Sequence, residues 1–78
     1  MTDLKETLTG IAKAIVDSPD EVSVKETVNG SKVDLVLSVA EDDIGMVIGK
    51  HGKIAKAIRT VMRAAASTDG KDVTVEIR

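Results

Sequence analysis

Asn29-Gly30 stands between two stretches in which apolar and polar residues alternate, and that leaves the middle of the chain few ways to fold. Before the pair, Val22, Val24 and Val28 alternate with Ser23, Lys25 and Thr27; after it, Val33, Leu35, Leu37 and Val39 recur at every second position. A period of two sends side chains to opposite faces of a strand, so residues 22–28 and 32–39 read as strands with one apolar face each. Asn-Gly tolerates the positive φ angles of a tight turn, which makes the two strands an antiparallel hairpin. Val36 is the single apolar residue among the outward positions of the second strand.

Helical spacing flanks the hairpin on both sides. Leu4, Leu8, Ile11, Ala12 and Ile15 recur as on one face of a helix, Asp3 and Glu6 have the spacing of a capping box, and Ser18-Pro19-Asp20 ends the segment. Gly10 lies inside this helix at a cost of about 1 kcal/mol relative to Ala, a cost that close packing would justify. After the hairpin, Glu41-Asp42-Asp43 sits where a helix N-terminus welcomes negative charge, and a short apolar helix runs to about Ile48. A longer helix follows from about Lys53 to Ala66, left through Ser67-Thr68-Asp69-Gly70. Val73, Val75 and Ile77 alternate with Thr74, Glu76 and Arg78 as a last strand.

The order is α-β-β-α-α-β, with no repeat or linker. Seventy-eight residues make one domain, in which folding buries only ~60% of the surface of the extended chain. Three strands and three helices call for a two-layer α+β answer, a sheet covered on one face by helices. The last strand returns through a helical crossover and can lie parallel to a hairpin strand, giving a mixed sheet.

The chain has no Phe, Trp, Tyr or Cys. Disulfides, thiol catalysis and Cys-based zinc sites are thereby excluded, and any nucleic-acid contact must do without aromatic stacking platforms. Net charge is −2, but it is unevenly spread. From Ile44 to Ser67 there are five cations (Lys50, Lys53, Lys56, Arg59, Arg63) plus His51 and no acid, while the rest of the chain holds six cations against thirteen acids. Positive potential is therefore concentrated on one part of the surface.

On a helical wheel, Ile54, Ala57, Ile58, Val61, Met62 and Ala65 gather on the inner side of the long helix, and Lys53, Lys56, Arg59, Thr60 and Arg63 on the other. A solvated face is the ordinary meaning of such a stripe. Here it carries one sign and begins directly after Gly49-Lys50-His51-Gly52, a combination that favours a polyanion. Glycine lets a phosphate backbone approach the main chain without a Cβ in the way, and the N–H groups opening the next helix favour an anion. Taken alone, two such glycines are a helix C-cap and a turn residue. The two surrounding helices and the basic stripe tip the reading toward function.

Val47-Ile48-Gly49-Lys50-His51-Gly52-Lys53 resembles the signature of the KH domain, whose GxxG loop clamps the backbone of about four nucleotides. The element order matches the type II KH arrangement over the whole chain, and Asp43 to Thr60 is similar to the most recognisable segment of the small bacterial KH proteins of the KhpA family. The resemblance implies a single type II KH domain over 1–78, with an N-terminal helix and strand at 3–28 and a KH core at 32–78. It implies a three-stranded mixed sheet with three helices on one face. Gly49, Lys50, His51 and Gly52 would hold single-stranded RNA, with Lys53 and Lys56 beside them. Ile44, Gly45, Val47, Ile48 and Ala55 would line the groove for the bases. The implied activity is that of an RNA chaperone or post-transcriptional regulator in the cytoplasm. It would act as a homodimer or as a heterodimer with a KhpB-type KH protein, linked to cell-wall synthesis and cell length. Met46 stands where such sequences often carry a basic residue. Ala55 stands where many have Ile, with Ile54 and Ile58 supplying the core instead.

No enzyme, cofactor, metal or small-molecule substrate is expected. His51 is the only histidine, no nucleophile motif adjoins it, and the glycines at 45, 49 and 52 fit neither the P-loop nor the dinucleotide spacing. No apolar run approaches the ~20 residues of a membrane span, and the N-terminus does not read as a signal peptide, so a cytoplasmic location without membrane is expected. The rival reading is a KH fold used as a protein–protein adaptor with weak or no RNA binding, which net acidity, missing aromatics and an exposed Val36 would allow.

Overall fold

The computed structural model describes residues 3–78, which form one sheet of three strands with helices on one side. Helix α1 spans Leu4–Ile15 and opens as the sequence predicts: Asp3 Oδ1 accepts the Glu6 N–H at 3.1 Å. Leu4, Leu8 and Ala12, four residues apart, are its buried stripe. Val16 turns extended, and Pro19 opens a 3₁₀ turn at Pro19–Glu21 that ends the helical run. Gly10 is exposed, and a Cβ built on it would meet nothing within 4 Å, so no close packing accounts for this glycine.

Strands β1 (Ser23–Asn29) and β2 (Lys32–Ser38) pair antiparallel, with Val28 opposite Val33 and Asn29 opposite Lys32. Asn29 is therefore the last paired residue, and the two-residue loop is Gly30-Ser31, one position later than the Asn-Gly motif suggests. Gly30 has φ +63° while Ser31 keeps an ordinary φ, the requirement of a II′ turn with Gly at its first central position. Strand β3 (Asp72–Ile77) lies parallel to β2, with Leu35 opposite Val75, and the sheet order is β1-β2-β3.

The connection from β2 to β3 runs through a 3₁₀ turn (Glu41–Asp43), α2 (Ile44–Ile48), the glycine-bounded loop and α3 (Lys53–Thr68). The core joins Leu4, Leu8 and Ala12 of α1 to Val33, Leu35, Leu37, Val73 and Val75 of the sheet and to Ile58, Met62 and Ala66 of α3. Apolar alternation in β2 and β3 thus selects the helix-covered face. It fails at the end of β1, where Val28 is exposed although its partner Val33 on β2 is buried: at this level the central strand is covered and the edge strand is not. Val36, on the outer face, is half-buried rather than exposed.

Helix α3 sits differently from the wheel reading. Its buried residues are Ala55, Ile58, Met62 and Ala66, whereas Ile54 is 39% and Val61 51% exposed and Ala57 is exposed. The interior face combines two alanines, Ala55 and Ala66, with Ile58 and Met62, and an apolar flank is left outside. Ile54 is thus not the core residue expected of it.

Candidate nucleic-acid interface

Helix α2 is only five residues long and is held at both ends. At its start, Asp43 is 3% exposed, and its Oδ2 accepts the Ser18 N–H at 3.0 Å across 25 residues of chain. Only Glu41 and Asp42 of the acidic triplet are exposed; Asp43 makes no side-chain cap on α2 and instead ties it to the segment after α1. Asp43 keeps the place at the helix N-terminus that the sequence suggests and adds this long-range tie. At the far end, Gly49 N–H donates to the Gly45 carbonyl at 2.8 Å.

The loop turns through a run of unusual backbone angles. Gly49 adopts φ +76° and ψ 175°; His51 (φ +58°, ψ 24°) and Gly52 (φ +74°, ψ 15°) follow each other in the left-handed region. Few side chains accept that region, and His is among those enriched there. The two glycines answer different needs. A Cβ on Gly49 would lie 2.3 Å from Ile54 Cγ1 and 2.9 Å from the Ile54 nitrogen, so Gly49 is the seat on which the first turn of α3 rests. A Cβ on Gly52 would meet nothing within 4 Å, which leaves its surroundings open.

Lys50, His51, Lys53 and Lys56 are exposed, and both glycines keep partial exposure. No side chain caps the N-terminus of α3; a 3₁₀ turn at Lys50–Gly52 leads into it, with the Gly52 N–H donated to the Gly49 carbonyl at 3.2 Å and the Lys53 N–H to the Lys50 carbonyl, and the positive end of the helix lies beside these cations. Among the described residues, no acid lies within ion-pair distance of Lys50, Lys53, Lys56 or Arg63, and the ion pair formed is Arg78–Glu76 on β3. The arrangement offers a positive, donor-rich and sterically open surface to an anion. No cluster of three metal-ligating side chains occurs among the described residues.

Ile44, Gly45 and Ile48 of α2 each retain exposure and flank the loop. Val47 and Ala55, expected at the groove surface, are buried: they form its inner support rather than its lining. Two contacts escaped sequence reasoning, both between residues distant in the chain. One is Asp43 with Ser18; the other is Arg59, whose Nε donates to the Val75 carbonyl at 3.1 Å. Arg59 follows buried Ile58 and lies one turn past Ala55, a placement that was its only signal.

The KhpA/KhpB KH-domain model matches residues 5–77. The chain belongs to this family of KH domains. It is 54% identical over 74 residues to the RNA-binding protein KhpA of Clostridium acetobutylicum, covering 95% of this chain and 99% of that one. With the RNA-binding protein KhpA of Chlamydia trachomatis it shares 45% over 74 residues, 95% of each chain. Among solved structures, this KH domain superposes on an Era variant of Aquifex aeolicus bound to GDP and AlF4⁻ (TM-score 0.70, 20% identity), spanning 95% of this chain and 29% of that one. A second likeness is to Era in complex with MgGDPNP and nucleotides 1506–1542 of 16S ribosomal RNA (TM-score 0.69, 21% identity, 28% of that chain). At such identities the likeness is one of fold. The α-β-β-α-α-β order and mixed sheet are those of a type II KH domain. No helix among the described residues is long and apolar enough to cross a membrane.

Proposed function

We propose that this KH domain binds single-stranded RNA, gripping the sugar–phosphate backbone at Gly49, Lys50, His51 and Gly52. The observation that carries the reading is the group of exposed cations without an acidic partner, Lys50, Lys53 and Lys56, at the start of α3, beside a glycine with free space where a Cβ would stand. Phosphates would meet backbone N–H groups and the charges of Lys50, Lys53 and Lys56. Ile44, Gly45 and Ile48 would give the bases aliphatic contacts in place of stacking, with Val47 and Ala55 beneath them. The related proteins named RNA-binding support this assignment.

The finer reading is an RNA chaperone or post-transcriptional regulator in the cytoplasm, working with a KhpB-type KH partner or a second copy and linked to cell-wall synthesis and cell length. A single small KH surface holds few nucleotides, so a second module would raise avidity through effective concentration. The apolar flank of α3 (Ile54, Val61) supports an interaction surface, and it keeps the adaptor reading as the alternative.

Fluorescence anisotropy with short single-stranded RNA tests the clamp. The double substitution Lys50→Asp and His51→Asp is expected to abolish measurable binding while leaving the thermal melt unchanged. The wild type should show a log–log salt slope of about −2, for ~3 phosphates on a single strand. Binding that ignores both the substitution and the salt would refute the clamp and leave the adaptor.

A further inference from the structure

We infer that the RNA track does not end at the loop but runs on along the exposed face of α3 as far as Arg63, a phosphate contact outside the glycine-bounded clamp. The inference rests on the RNA-binding reading and extends the same surface.

An α-helix turns about 100° per residue, so Lys53, Lys56, Thr60, Arg63 and Ser67 fall within an arc of about 80°. All five are exposed, while Ala55, Ile58, Met62 and Ala66 fill the buried side. The stripe begins directly after Gly52 and runs about 15 Å from Lys53 to Arg63. Thr60 Oγ1 donates to the Lys56 carbonyl at 3.0 Å, folded back on its own helix, so the cations give the stripe its character.

Opposite charges three and four residues apart support a helix, and like charges at those spacings weaken it. Here Lys53 with Lys56, Lys56 with Arg59 and Arg59 with Arg63 are all like-charged neighbours, and the chain has no acid between Asp43 and Asp69. The helix dipole does not account for Arg63 either, because the last turn of α3 holds no cation. Among the described residues, no carboxylate lies within ion-pair distance of Lys53, Lys56 or Arg63. The counter-charge that fits is an extended external anion. The field also has a direction. Glu41 and Asp42 stand exposed at the start of α2, and the Ser18–Asp43 hydrogen bond holds a segment with exposed Asp17, Asp20 and Glu21 against the same end. A polyanion leaving the loop toward that end meets acids, whereas one leaving along α3 meets Lys53, Lys56 and Arg63.

Oligonucleotide length separates a track from a general positive field. Anisotropy titrations of uridine tetramers and octamers over a salt series would use the full-length wild type, Arg63→Gln and Lys25→Gln, with folding checked by thermal melts. Lys25 is exposed and alternates with buried Val24, so its substitution removes the same charge from the sheet face turned away from the helices. Each phosphate neutralised on a single strand adds about −0.7 to the log–log salt slope, so the wild-type slope should steepen from about −2 for the tetramer to about −2.8 for the octamer. Arg63→Gln should return the octamer to about −2 and weaken it about fivefold at 0.1 M salt, leaving the tetramer unchanged. Lys25→Gln should alter neither. The inference fails if the octamer slope is no steeper than the tetramer's, or if Arg63→Gln leaves the octamer unchanged or weakens both lengths alike. It fails equally if Lys25→Gln matches the effect of Arg63→Gln. Binding of neither oligonucleotide by the wild type would instead refute RNA binding itself.

Discussion

The two ends of the Gly49–Gly52 loop share a left-handed φ and differ in almost everything else. The entry is crowded: Gly49 lies against Ile54, with no room for one more carbon. The exit is open: Gly52 has the same sign of φ and nothing within 4 Å of an added Cβ. A pair of glycines at fixed spacing therefore does two jobs, one holding helix α3 in place and the other leaving space in front of its N-terminus. The same residue type supports stability at one end and access at the other.

Substitutions can break this contrast in graded steps. Gly49→Ala carries both the φ penalty and a steric clash, and should destabilise the domain by about 3 kcal/mol in urea unfolding. Adding Ile54→Ala removes the clash at Cγ1 and leaves the contact with the Ile54 nitrogen. In that background the same change should cost only about 2 kcal/mol, and full additivity of the two substitutions would show that packing at the entry is not the cause. Gly52→Ala should cost about 1 kcal/mol from φ alone, while weakening RNA binding roughly tenfold because the methyl enters the open space. Equal losses of stability and affinity at both glycines would erase the distinction. Gly10→Ala serves as the control of opposite sign: the backbone there is helical and the surroundings empty, so stability should rise by about 0.8 kcal/mol in the same assay.

Much of this was legible in the sequence because it is local. The period of two in β2 and β3, the Asp3 cap and the stripe of Leu4, Leu8 and Ala12 each follow from a few neighbouring residues. The rotation of α3 was not. Its apolar arc is wider than the strip that touches the sheet, and the large residues Ile54 and Val61 outweigh Ala55 and Ala66 in any average over side chains. The buried face takes Ala55 and Ala66 along with Ile58 and Met62, so position around the helix, and not side-chain size, decides what is inside. The hairpin was misplaced by one residue because Asn29-Gly30 suits a I′ turn, whereas Gly30-Ser31 meets a II′ turn with a single glycine. At the loop, residue types told where the glycines and cations stand; burial told that Val47 and Ala55 do not reach the surface. Asp43 with Ser18 and Arg59 with Val75 join residues 25 and 16 positions apart, and no local pattern encodes such pairs.

The carboxylate tucked beneath the start of α2 makes the two halves of the polypeptide interdependent. Residues 44–68 contain the glycine pair and every cation around it, yet the peg that fixes their platform is a backbone amide donated by Ser18. A chain shortened to begin at β1 would keep each residue of the notch and lose the anchor that orients it. The exit of the N-terminal helix thus helps to hold the platform on which the loop stands, although it lies outside residues 44–68.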